Sequence, residues 1–352
     1  MAVVSADLGC SATRDRCGSF WGEKWRSGER MLLRKSLRNS SRISATASLA
    51  VRTFKHERPI VDVEMNRLMT TGRYVQWYPG HIAKAERDLK EQLLLVDVVV
   101  ELRDARIPSA TGHPDLEKWI RGKKRILVLN REDMISTADR NAWASYFASK
   151  DMPVIFTNGQ QGKGIMKLTR QAGSVGSTIN SKRRDKGLLP RSVRVAVVGF
   201  PNIGKSSIIN RLLKRKICEA APRPGVTRQL RWSTIHDGLD LLDSPGILPM
   251  KFDDQAAAVK LAICNDIGQE SYEVSGVAAV LVERLKRLPA AGAKVLTSRY
   301  RVDAEDCSGE YYLELVAQKL FQGDVNQAAT RLLLDFRRGK FGCFALESPP
   351  SS

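Results

Sequence analysis

The stretch Gly199-Phe200-Pro201-Asn202-Ile203-Gly204-Lys205-Ser206 fits G-x-x-x-x-G-K-[ST], and it constrains the fold more tightly than any other part of the chain. It follows an apolar run, Val193 to Val198, and precedes a helix-like run, Ser207 to Leu213. A strand, a glycine-rich loop and a helix in that order form a phosphate cradle. The glycines let backbone N–H groups turn inward, and the helix N-terminus adds its positive end. Lys205 is placed to reach the β- and γ-phosphates, and the Ser206 hydroxyl to ligate Mg²⁺. Asn202, Ile203, Gly204 and Ser207 complete the phosphate-binding set. The odd feature is position. The loop lies past the middle of a 352-residue chain, with little room behind it for the rest of a nucleotide-binding domain.

The supporting motifs lie on both sides. Leu230 to His236 and Leu239 to Leu242 read as paired strands across Asp237-Gly238, and the second ends in Asp243-Ser244-Pro245-Gly246. In this D-x-x-G the carboxylate of Asp243 holds Mg²⁺ and the Gly246 N–H meets a γ-phosphate. Thr227, in a turn-rich loop between the two, is placed to close over the metal when a triphosphate is bound. Upstream, the buried run Arg125 to Leu129 ends in Asn130-Arg131-Glu132-Asp133. A carboxylate there accepts from the N1–H and exocyclic amine of guanine, a donor pair that adenine lacks, which selects GTP. The usual second residue is Lys; Arg131 replaces it with a planar guanidinium able to stack on a base. Thr157-Asn158-Gly159 completes the base pocket through backbone contacts.

The order of these motifs is informative. An ordinary GTPase runs from P-loop through the switch Thr and D-x-x-G to N-K-x-D and the base-capping loop. Here the last two come first, as in a circular permutation, which close-lying domain termini make possible. The Gly-, Ser-, Lys- and Arg-rich tract Gly173 to Ser192 reads as a flexible connector joining the old ends. Strand–helix alternation from Val96 to Phe156 predicts a parallel sheet with helices on both faces. Beyond Pro249 the segments Gln255 to Ile267, Val274 to Leu288, Gly309 to Phe321 and Val325 to Arg337 carry helical apolar spacing. The expected fold is thus α/β, a circularly permuted P-loop GTPase fold over 74–250, followed by a small all-α domain over 251–345. Asp324 is the expected N-cap of the last helix, and Glu347 to Ser352 an expected disordered tail.

Charge points to a polyanionic partner. The formal surplus is +19; residues 1–55 carry 11 Lys/Arg against 4 Asp/Glu, so +12 remains beyond them. Those first 55 residues are rich in Arg and Ser without an apolar core, which reads as an organelle transit peptide or a retained basic arm. Serine content favours the chloroplast, and arginine content leaves the mitochondrion open. Six scattered cysteines with no C-x-x-C pair suggest neither disulfide framework nor zinc site. No apolar run reaches the roughly 18 residues of a membrane span.

Trp77-Tyr78-Pro79-Gly80-His81-Ile82-Ala83-Lys84-Ala85 leads into an amphipathic helix, Ile82 to Leu95, and Asp104-Ala105-Arg106-Ile107-Pro108 follows the first buried strand. With the permuted motifs, these stretches resemble the YlqF/RbgA family of ribosome-assembly GTPases, the plant organellar DAR GTPases most of all. The resemblance covers about Trp77 to Gly342. It implies GTP hydrolysis, a large-ribosomal-subunit precursor as partner, rRNA contact through the helical domain, and a monomer off the ribosome. Ile247 stands where many GTPases carry a glutamine after D-x-x-G, and an apolar side chain cannot orient water. The family's proposed substitute falls on His81, a catalytic candidate beside Lys205. Asn202 matches the asparagine that helps hold an activating K⁺ in related GTPases. Asp104 and Arg106 read as a structural ion pair. Two other classes stay open: a signalling or trafficking switch that never touches RNA, and an RNA-binding factor using GTP only as a structural ligand.

Overall fold

Strand side chains alternate between faces, so apolar runs between helices must be covered twice. The computed structural model describes residues 75, 82–214, 231–235, 238–249, 254–288 and 292–350. The proposed leader, the Trp77 to Gly80 turn, His81 and Thr227 lie outside the described residues. The strands are Val98–Asp104 (β1), Lys124–Asn130 (β2), Val154–Thr157 (β3), Val193–Gly199 (β4), Arg231–Ile235 (β5) and Leu239–Asp243 (β6). They form one sheet in the order β3-β2-β1-β4-β6-β5. All neighbours are parallel except the β5–β6 hairpin at the edge.

One face of β1, with Val98, Val100 and Leu102, shares a cluster with Leu168 and Ala172 of Ile165–Asp185 (α4) and Ile208 and Leu212 of Lys205–Leu212 (α5). On the other, Val99 joins Leu89 and Leu93 of Ile82–Leu95 (α1) and Ile120 of Leu116–Ile120 (α2). Trp143 and Phe147 of Thr137–Ser149 (α3) cover Leu127 and Leu129. A capping box between Ser136 and Asp139 starts α3.

The expected flexible connector is corrected: most of it is helix. α4 runs unbroken through Gly173 and Gly176 because Ile165, Leu168, Ala172 and Gly176 bury one stripe at helical spacing. Gly176 is a packing residue: a Cβ there would lie 2.5 Å from Val193 Cγ2. The short remainder is pinned. The Asn180 side chain donates to the Arg191 C=O (3.0 Å) and accepts from its N–H (3.1 Å). Arg191 makes a bidentate pair with Asp97, both bonds 2.8 Å.

The C-terminal region is helical, as expected: Gln255–Cys264 (α6), Val274–Lys286 (α7), Gly292–Tyr300 (α8), Gly309–Leu320 (α9) and Val325–Arg337 (α10). α7 is buried nearly all round and packs against the other four. Asp324 caps α10, accepting from the Gln327 N–H at 3.0 Å. α8 escaped the sequence reading because it is short and buries only Ala293, Leu296 and Tyr300. The expectation of a disordered tail fails at Glu347, which is buried against Ser109 and Lys260. Among the described residues no helix is long and apolar enough to cross a membrane.

The two α4 glycines give opposite expectations. In Gly176→Ala, overpacking of about 1–3 kcal/mol against the stiff Val193 side chain outweighs the helix-propensity gain of about 1 kcal/mol. In Gly173→Ala the new methyl meets nothing within 4 Å, and only the gain remains. Urea denaturation should show the first variant less stable than the parent and the second more stable.

Candidate functional site

The C-terminal ends of β1, β2, β3 and β4 lie side by side, with Asp104 opposite Asn130 and Asn130 opposite Thr157. This is the end of a parallel sheet where loops are free to build a ligand site. The P-loop leaves β4 at Gly199 and enters α5 at Lys205. Gly204 takes a left-handed φ of 101°, and a Cβ there would come within 2.4 Å of Asn130 Nδ2. Lys205 is buried, and its ammonium donates to the carbonyls of Gly199 (3.1 Å) and Phe200 (2.7 Å). Burial pushes its pKa down to about 8, against the opposing pull of Asp243 and Asp266. A desolvated cation at the centre of a loop of N–H donors is matched to phosphate oxygens.

Across the loop, Ser206 Oγ lies 3.5 Å from Asp243 Oδ2. A hydroxyl and a carboxylate side by side are the hard oxygen donors that Mg²⁺ takes, so these residues fit that ion. Gly246 lies against the P-loop backbone, where a Cβ would approach Pro201 Cα to 2.3 Å. The Ile247 N–H donates to the Gly199 C=O at 3.2 Å, and its side chain is buried with Leu89, Leu93 and Leu242. The position after D-x-x-G is therefore spent on packing and offers no group to water. Ser207 is half-buried in the first turn of α5.

The loop after β2 is joined to the phosphate loop by Asn130. Its amide Nδ2 donates to the Ile203 C=O (2.8 Å), while Oδ1 accepts from the Thr157 hydroxyl (3.1 Å) and the Gly159 N–H (3.0 Å). Arg131, at φ 65°, donates from Nη2 to the Asn202 C=O (2.7 Å) and stands 3.5 Å from Asp104. This bond fixes the guanidinium head on the P-loop. Glu132 is buried and pairs with Lys163 at 3.0 Å, a structural role. The Asp133 side chain is exposed. Asn158 holds its own loop, accepting from the N–H groups of Gln160 and Gln161, both at 2.9 Å.

Behind the P-loop lies a buried ionic cluster. Arg106 and Asp104, both with fully buried side chains, pair at 2.7 Å, and Arg106 also donates to the Cys264 C=O at 3.1 Å. Ligand atoms of Asp104, Cys264 and Asp266 lie within 4.8 Å of one another. Both oxygens of Asp104 are already taken by Arg106, so the group is an ion-pair cluster and not a metal cage. The Asp266 carboxylate has no hydrogen-bond partner among the described residues, and burial with Asp104 nearby pushes it up to about 8. The adjoining turn touches the nucleotide loop, since Asn202 Nδ2 donates to the Asn265 C=O at 2.8 Å. Sequence reading missed Asn265 and Asp266. An Asn ending an apolar helix signals a left-handed cap, but nothing local reveals a partner 63 positions upstream.

Comparison with known proteins agrees with this geometry. A family described as "50S ribosome-binding GTPase" matches residues 194–288, starting in the P-loop strand and leaving residues 130–133 upstream. Ribosome biogenesis GTPase A of Bacillus licheniformis is 34% identical over 283 residues, 78% of this chain and 98% of that protein. Short integuments 2, mitochondrial, of Arabidopsis thaliana is 32% identical over 208 residues, 55% of this chain and 52% of that protein. The crystal structure of GNP-bound YlqF from T. maritima is similar at a TM-score of 0.54 and 26% identity, covering 76% of this chain and 100% of that one.

Asn130→Ala removes three bonds at once and leaves the Ile203 C=O and Gly159 N–H without their partner. Nucleotide affinity should fall by more than about tenfold, and unfolding free energy by about 1–3 kcal/mol. Thr157→Val, which loses one of the three bonds, should do less on both counts in calorimetric titration and urea melts.

Proposed function

The chain belongs to the ribosome biogenesis GTPase A (YlqF/RbgA) family, and on that premise we propose that it hydrolyses GTP in assembling the large subunit of an organellar ribosome. The observation that carries the site assignment is the Asn130 junction, which brings base-reading and phosphate-binding loops together although the chain supplies them in permuted order. In this reading Asp133 accepts from the N1–H and amino group of guanine. The N–H groups of Ile203 to Ser207 and the Lys205 ammonium hold the phosphates. Ser206 and Asp243 would hold Mg²⁺, with Thr227 closing over it when triphosphate is bound, and the ion would supply positive charge to the phosphate oxygens. The Gly246 N–H meets the γ-phosphate and so reports on hydrolysis.

Ile247 is buried, so water must be oriented from elsewhere, and His81 is the proposed group. Asn202 is the proposed P-loop contributor to a K⁺ site. Residues 74–250 form the proposed permuted GTPase domain, and 251–345 the proposed rRNA-binding domain. The surplus of +12 beyond residue 55 supports an RNA partner. The proposed location is the chloroplast, with the mitochondrion as the alternative. The basic Ser- and Arg-rich leader supports an organelle, and a mitochondrial plant relative fits one. The proposed state off the ribosome is a monomer.

Sedimentation of the tagged chain from organelle extract tests the reading. Comigration with large-subunit precursors should depend on whether GDP or a non-hydrolysable GTP analogue is present. Comigration with neither would favour a switch acting away from ribosomes. In His81→Ala, precursor-stimulated kcat should fall by about 10²-fold or more with KM for GTP little changed. Asp133→Asn exchanges an acceptor for a donor, so preference should move from GTP to XTP in competition binding. An unchanged preference would remove Asp133 from base recognition.

A further inference from the structure

Beyond α10 the chain turns back, and five consecutive residues are bonded to distant parts of the fold, the first two to the base-reading loop. Cys343 Sγ donates to the Asp133 C=O (3.1 Å) and the Phe344 N–H to the Met134 C=O (3.0 Å). The Ala345 N–H donates to Asp139 Oδ2 (3.0 Å) and the Leu346 N–H to the Arg106 C=O (2.8 Å). Glu347 closes the run. Its carboxylate accepts from the Ser109 N–H (2.7 Å) and pairs with Lys260 of α6 (3.2 Å), and its C=O accepts from the Trp143 indole (3.3 Å). A segment without regular structure has no internal ladder to order it. Here every residue is bonded to a partner distant in sequence, and those bonds, with the burial of Leu346 and the packing of Phe344 on Phe336, offset the ordering entropy.

What this segment grips is the short 3-10 turn Glu132–Met134 that carries Asp133. On its N-terminal side the turn is fixed by Arg131, bonded to the Asn202 C=O. On its C-terminal side it is fixed by Cys343 and Phe344, and by Asp139, which serves both the start of α3 and the Ala345 N–H. The Asp133 carboxylate takes no part in this bonding. Its direction follows from the main chain on either side, and one of those sides belongs to the end of the chain.

We propose that Cys343–Glu347 is a strap that positions Asp133 for guanine, making the C-terminal segment a specificity-determining part of the nucleotide site. This rests on the reading of Asp133 as the guanine acceptor. Lys260 and Arg284 hold the strap from α6 and α7, the latter through the Leu346 C=O. The base pocket is therefore tied to the helical region by a route separate from the D-x-x-G loop.

The test compares GDP with IDP, whose base keeps N1–H but lacks the amino group. Affinities are measured for the full chain, for a chain ended after Gly342, and for Phe344→Pro, which deletes the N–H bonded to Met134. The full chain should prefer GDP by about tenfold or more, the effect of one hydrogen bond to a charged group. In both variants GDP affinity should fall about tenfold and IDP affinity much less, so that the ratio collapses. A purely structural strap would lower both affinities equally; an undiminished ratio in either folded variant overturns the proposal. If the truncated chain does not fold, Phe344→Pro decides. A full chain that does not distinguish GDP from IDP would instead remove the Asp133 reading, and the strap proposal with it.

Discussion

Asn130 is a buried amide with three bonds, to the Ile203 carbonyl, the Thr157 hydroxyl and the Gly159 N–H. The Ile203 carbonyl follows β4, the Thr157 hydroxyl and Gly159 N–H both lie at the end of β3, and each would be a buried polar group with a lost bond if the amide were absent. The requirement fixes the spacing between the phosphate loop and both base loops. It also explains the neighbouring glycine: Gly204 has no room for a Cβ because Asn130 Nδ2 occupies the space, 2.4 Å away. The P-loop and the proposed base-binding loops after β2 and β3 are thus parts of one hydrogen-bonded object, whichever is made first along the chain.

That independence from chain order is what a permutation requires. The sheet is held by pairing between neighbours, and the β1–β4 contact makes no reference to which strand comes first. The cost falls on the new junction, which must cross from α4 to β4 without loosening either. Here the helix continues almost to the crossing, and the bond pair from Asn180 and the Arg191–Asp97 fork hold the remainder. The rearranged chain then places α6 soon after Asp243, so that the D-x-x-G loop leads straight into the helical region.

The phosphate motifs, the strand runs and most helices were legible in the sequence because their signals are local: period, caps and loop spacing within a few residues. Asp324 capping α10 and the Asp104–Arg106 pair were readable for the same reason. Apart from the short α8, the failures are non-local. Gly176 looks like a helix breaker until Val193 is placed beside it. Glu347 looks like the start of a polar tail, and its partners Ser109 and Ala110 lie 238 and 237 positions away. Side-chain type restricts what a residue does, but a polar group's partner is set by topology.

The same reasoning bears on the ionic cluster behind the P-loop. A buried salt bridge is weak evidence for stability, since well-packed apolar side chains of similar volume often serve as well or better. Asp104 and Arg106 are best understood through what they touch. Asp104 stands beside Arg131 of the base loop, Arg106 donates to the last carbonyl of α6, and the next residue, Asn265, holds Asn202 of the P-loop. Three elements meet at charges that tolerate little displacement, because separating the pair would strand a charge without water at a cost of about 3–5 kcal/mol. Apolar contacts would hold α6 against the sheet over a range of small slips; this cluster admits few. Asp266 adds a buried carboxylate that has no hydrogen-bond partner among the described residues, a feature that packing alone would not select. The cluster therefore fixes the register between helical region and nucleotide loops, so that a displacement at either must be felt at the other.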